Sequence, residues 1–76
     1  MKAQAFDAVL RSFIARRPFR PFTVEMMSGT AITVDHPEAL VLRGGAAVFL
    51  DRLGRPAYFD EESVVQIGRA RNQAAR

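Results

Sequence analysis

The hexapeptide Arg17-Pro18-Phe19-Arg20-Pro21-Phe22 constrains this chain more than any other stretch. Each of its two prolines lacks an amide hydrogen and pushes the preceding residue out of the α region, so no helix passes through it. The segment must be a corner. Upstream, Phe6, Val9, Leu10, Phe13 and Ile14 recur at helical spacing, opposite Gln4, Asp7, Arg11 and Ser12. Downstream, Phe22, Val24 and Met26 alternate with Thr23, Glu25 and Met27, the period of a strand. A helix over 3–16 therefore gives way to β structure starting at 22.

Within the helix, Asp7 stands one turn before Arg11, the favourable order for an ion pair, and Arg16 and Arg17 fall at the end where the dipole favours cations. Past Ser28-Gly29 the alternation resumes, with Ile32 and Val34 against Ala31, Thr33 and Asp35. A two-residue loop would pair Glu25 with Ile32 and mix the faces. A three-residue loop pairs Val24 with Ile32 and Met26 with Thr30, leaving Gly29 the left-handed position. His36-Pro37-Glu38 interrupts the sheet, with Pro37 opening a short helical turn that Asp35 is placed to cap. Leu40 to Leu42 is a brief strand and Gly44-Gly45 a hairpin turn. Ala46 to Leu50 is continuously apolar, which calls for cover on both faces, one from the interior and one from the helix or another subunit. A turn over 51–56, a strand over 57–59, a tight polar turn over 60–63 and a last strand over 64–67 complete a single domain, 1–68. Residues 69–76 are expected to be a flexible basic tail.

At 76 residues the core is small, near the size at which ordering the chain, at about 1.5 kcal/mol per residue, cancels what burial contributes. With no cysteine and one histidine, neither disulfides nor a conventional structural zinc site can staple it, which leaves oligomerisation as the expected stabiliser. The absence of a long apolar run and of a leader pattern at the N-terminus gives the expectation of a soluble, cytoplasmic chain that does not enter membranes. The net charge of +3, eleven basic residues against eight acidic, is a mild bias and no nucleic-acid signature in itself.

The order helix, proline corner, hairpin with a small-residue-Gly turn, and final strand pair joined by a tight turn resembles the Sm-like proteins, and most closely the bacterial RNA chaperones of the Hfq type. The stretches that carry the likeness are Phe6 to Arg17, Phe22 to Val34 and Ala47 to Ile67. The Arg-Pro-Phe corner and His36-Pro37-Glu38 are also similar to short bacterial proteins without an assigned activity. The fold expected is mainly β with one N-terminal α-helix: a small Sm-like or SH3-like barrel of five to six short antiparallel strands. The resemblance implies a ring in which the strand ending near Phe59 adds to the edge of Val64 to Ile67 in the next copy, with Tyr58, Phe59, Val64, Val65 and Ile67 at the interface. It also implies RNA binding, but the positions matching the family's uridine pocket are Phe59, Asp60 and Glu61, whose carboxylates repel phosphate.

A nucleic-acid surface would instead use Arg16, Arg17 and Arg20 with Phe19 as a stacking ring, joined by Arg69 and Arg71. No catalytic constellation is legible. His36 has no evident oriented partner, and Ser12, Ser28 and Ser63 lie in no elbow motif. Asp60-Glu61-Glu62 reads as a solvated turn, Gly44-Gly45 lacks the lysine and hydroxyl of a phosphate loop, and no cofactor or metal is expected. The expectation is a non-enzymatic oligomeric module for protein interaction or structure, with an RNA-binding ring as the alternative.

Overall fold

The chain turns where the prolines require. The computed structural model describes residues 2–69. Helix α1 (Ala3–Ala15) stops one residue short of the expected boundary, and Arg16 is already extended at φ −62°, ψ 136°. The β elements follow in order: β1 (Phe22–Met26), β2 (Ala31–Val34), a 3-10 turn (Pro37–Ala39), β3 (Leu40–Arg43), β4 (Ala46–Leu50), β5 (Pro56–Asp60) and β6 (Val64–Arg69). No helix among the described residues is long and apolar enough to cross a membrane.

The first hairpin has the three-residue loop that strand parity requires. Val24 lies opposite Ile32, the Met26 amide donates to the Thr30 carbonyl at 2.8 Å, and Gly29 takes φ +95°. In the second hairpin, Gly44 and Gly45 both adopt positive φ, 54° and 85°, between Arg43 and its partner Ala46. That is the mirror-image turn whose twist suits flanking strands.

The strands form two antiparallel three-stranded sheets, ordered β2-β1-β6 and β3-β4-β5, and they are not closed into the expected barrel. Two local features separate them. The 3-10 turn breaks the run from β2 into β3, so these consecutive strands belong to different sheets. After β5, the Asp60 carboxylate accepts the Glu62 and Ser63 amides at 3.1 and 3.0 Å, and the reversed chain pairs with β1 instead of β5. The final strand also runs further than expected, with Arg69 paired to Phe22; residues 70–76, including Arg71, lie outside the described residues.

Helix and sheets share one core. Phe6 and Leu10 of α1 are fully buried with Phe22, Val24 and Val34 of the first sheet; Leu40, Ala47, Phe49 and Phe59 of the second join them. The helix places one ring on each sheet: Phe13 lies 5.0 Å from Phe22, and Phe6 meets Phe59 edge-on at 6.0 Å. Each buried aromatic removes on the order of 150–250 Å² from water, which is why so short a helix docks without an N-terminal side-chain cap.

Three local expectations are corrected. Asp7 makes no ion pair with Arg11; its Oδ1 accepts the Gly45 amide at 3.0 Å, since a part-buried backbone donor needs a partner more than an exposed arginine does. Asp35 does not cap the 3-10 turn, whose N-terminus has no side-chain cap, because its carboxylate is taken by His36 and Arg52. The apolar run in β4 is covered on one face only: Ala47 and Phe49 are buried, while Ala46 and Leu50 are exposed and Val48 half-buried.

Candidate functional site

The arginine corner is partly engaged by the fold. The Arg17 Nη1 donates to the Ile14 and Arg16 carbonyls, both at 3.0 Å, closing helix ends whose own amide partners are missing. The Arg16 guanidinium lies 5.1 Å from the centre of the Phe13 ring. Phe19 is half-buried against Phe22, with ring centres 6.1 Å apart, so one side of the expected stacking ring is occupied by the core. Arg16, Arg17 and Arg20 are exposed, as is Arg69 at the end of β6.

The assembly residues divide by strand parity. Tyr58 and Val65 are exposed, at 75% and 59%; Phe59 and Val64 are buried and Ile67 half-buried in the core. In edge pairing the last three would contribute backbone only. β5 and β6 each form the outer strand of their sheet, so both carry a row of amides and carbonyls that no strand among the described residues takes up.

A cluster not legible in the sequence joins Asp35, His36 and Arg52. Asp35 contacts His36 Nδ1 at 2.5 Å and accepts from Arg52 Nε at 3.0 Å, and the imidazole stands edge-on to Phe49 at 5.1 Å. The hydrogen bond from His36, then that from Arg52, hold the Asp35 carboxyl below its ordinary range. Only the third dimension brings Arg52 across from the turn after β4. In that turn Asp51 accepts the Leu53 and Arg55 amides at 2.9 and 2.8 Å and the Arg55 guanidinium at 3.1 Å; the Arg55 amide bond is the largest cause of its lowered pKa. Among the described residues no three His, Cys, Asp or Glu side chains are grouped to hold a metal ion. No serine hydroxyl bonds His36: Ser12 donates to the Val9 carbonyl, Ser28 to Thr30 and Ser63 to the Asp60 carbonyl.

The two outer sheet faces differ in chemistry. Across the first sheet, Thr23 aligns with Thr33 and Gly68, and Glu25 with Ala31 and Gln66, a largely polar surface. Across the second, Val41 aligns with Val48 and Tyr58, and Leu50 with Pro56. The row at the other end of that face runs Arg43, Ala46, Asp60. A depression of about 220 Å³ opens there, lined by Val41, Arg43, Ala46, Ala47, Val48 and Tyr58. No family model matches this chain, and no curated protein or solved structure does either.

Proposed function

We propose that this chain is a non-enzymatic, self-assembling module of Sm-like arrangement, working in protein interaction or as a structural unit. β5 of one copy adds to β6 of the next until the ring closes. The observation that carries this reading is the position of β6: at six residues the longest strand, it lies at a sheet edge with Val65 bare beside it. A long unpaired edge is a template for another chain, and closure removes it. The chain order supports the same reading, because β5 and β6 are consecutive, joined by a tight turn, and paired to different sheets. Sedimentation equilibrium at ten to a few hundred micromolar (about the range in which weak interfaces populate) tests it. Discrete multiples of the 8.5 kDa chain are expected, and a monomer throughout overturns the reading.

The second reading, an RNA-binding ring, is favoured by Arg16 and Arg20, exposed cations that make no ion pair among the described residues. Anisotropy with labelled single-stranded RNA at two salt concentrations decides it. Binding that weakens steeply with salt and is lost in Arg16→Ala/Arg20→Ala supports it; none at low salt removes it.

A further inference from the structure

We infer that the outer face of the β3-β4-β5 sheet is a second self-association surface, on which two copies pack face to face about a twofold axis running along β4. On the first sheet the face that meets water is mostly threonine, glutamate and glutamine, and its exposed apolar side chains are Ala31 and the single large one Val65. The second sheet instead exposes Val41 at 61%, Leu50 at 47% and Tyr58 at 75%. An apolar sheet face of this kind ordinarily packs on another layer.

A second copy is the occupant because the face complements itself. Rotation about β4 exchanges the positions of β3 and β5 while keeping height along the strands. Arg43 of one copy then faces Asp60 of the other, twice over, and Val41 faces the other copy's Tyr58. Within one chain Arg43 and Asp60 are separated by the width of two strand spacings, about 9–10 Å, and make no ion pair. The depression beside Ala46 and Val48 offers each partner's Tyr58 ring a seat, and an aromatic side chain in such a seat is the usual anchor of a small interface. An isologous twofold contact needs this kind of self-complementarity, and paired sheets accept it with a modest rotation from their twist. Three short strands make a small patch, so the dimer is weak, with a dissociation constant on the order of 10–100 μM.

Edge pairing uses the backbones of β5 and β6 with Tyr58 and Val65 beside them, whereas Arg43 on β3 belongs to the face alone, so Arg43→Glu separates the two contacts. The test is sedimentation velocity across that concentration range with Tyr58→Ser, Arg43→Glu and Asp60→Asn. Asn keeps the oxygen that accepts the Glu62 and Ser63 amides, so the turn stays closed. Tyr58→Ser and Arg43→Glu should each weaken dimerisation at least about tenfold, with circular dichroism unchanged. Mixing Arg43→Glu with Asp60→Asn should restore association, since the mixed pair removes both like-charge contacts and keeps one Asp60–Arg43 contact. Three results overturn the inference: a wild-type monomer throughout, an assembly unchanged by Arg43→Glu, or mixtures that associate no better than Arg43→Glu alone. The second would leave edge pairing standing. Loss of all association in Arg43→Glu would support the face and deprive edge pairing of its support.

Discussion

Gly45 shows how much one backbone position can be asked to do. Its φ of +85° is costly for any side chain, and an added Cβ would stand 3.2 Å from the Ala3 Cβ, which must give way, and 2.7 Å from Glu61 Oε2, the end of a side chain that can swing aside. Gly45→Ala should therefore lose about 1–3 kcal/mol in denaturant unfolding. Gly29→Ala, at φ +95° with open space around it, should lose less, near the backbone share alone of about 1–2 kcal/mol. Equal losses would mean that Ala3 of the helix does not press on Gly45. Asp35 supports a pH prediction of definite sign. Its carboxyl is held below the ordinary range when folded, so its contribution to stability is complete above the unfolded value and disappears as pH falls through the depressed one. A carboxyl carbon titration by NMR should show this low midpoint. His36→Ala should raise it further than Arg52→Ala, because the hydrogen bond from His36 is the larger cause.

At the scale of elements, α1 is held to the second hairpin by the Gly45–Asp7 hydrogen bond and to both sheets by rings. Asp7→Ala leaves the part-buried Gly45 amide without its carboxylate and should cost about 1–3 kcal/mol; Asp7→Asn, which can still accept, should cost less. Phe6→Ala opens a void between helix and β5 and should cost about 3–5 kcal/mol, enough to unfold much of so small a domain at room temperature, as followed by circular dichroism. What the sequence disclosed at this scale was what neighbours along the chain decide: the proline corner, the register of Val24 on Ile32, the glycine turns. Asp7 on Gly45 and Arg52 on Asp35 were hidden, since they join residues 38 and 17 positions apart that meet only once the sheets have formed. The candidate surfaces followed the same division. The arginine corner and the last two strands could be named in advance, whereas the alignment of Arg43, Ala46 and Asp60 depends on a register spanning three strands.

For the molecule as a whole, the missing barrel closure governs what assembly can do. Two separate sheets leave four outer strands, β2, β3, β5 and β6, and the first two have only four residues each. Short edges invite little pairing, so growth should run through β5 and β6, and it gives discrete species if, as proposed, that head-to-tail contact closes into a ring. Sedimentation profiles with continuous mass growth would contradict this. The helix bridges the two sheets through Phe6 and Phe13, and this has a consequence for biosynthesis. Phe6 leaves the ribosome early but waits for Phe59, roughly fifty residues later, before its ring has a place to rest. Until then only the Phe13 end of the oily stripe can find cover, on Phe22 of the first hairpin, and the Phe6 end stays bare, so ribosome-bound chains truncated before Phe59 should be the ones that attract chaperones.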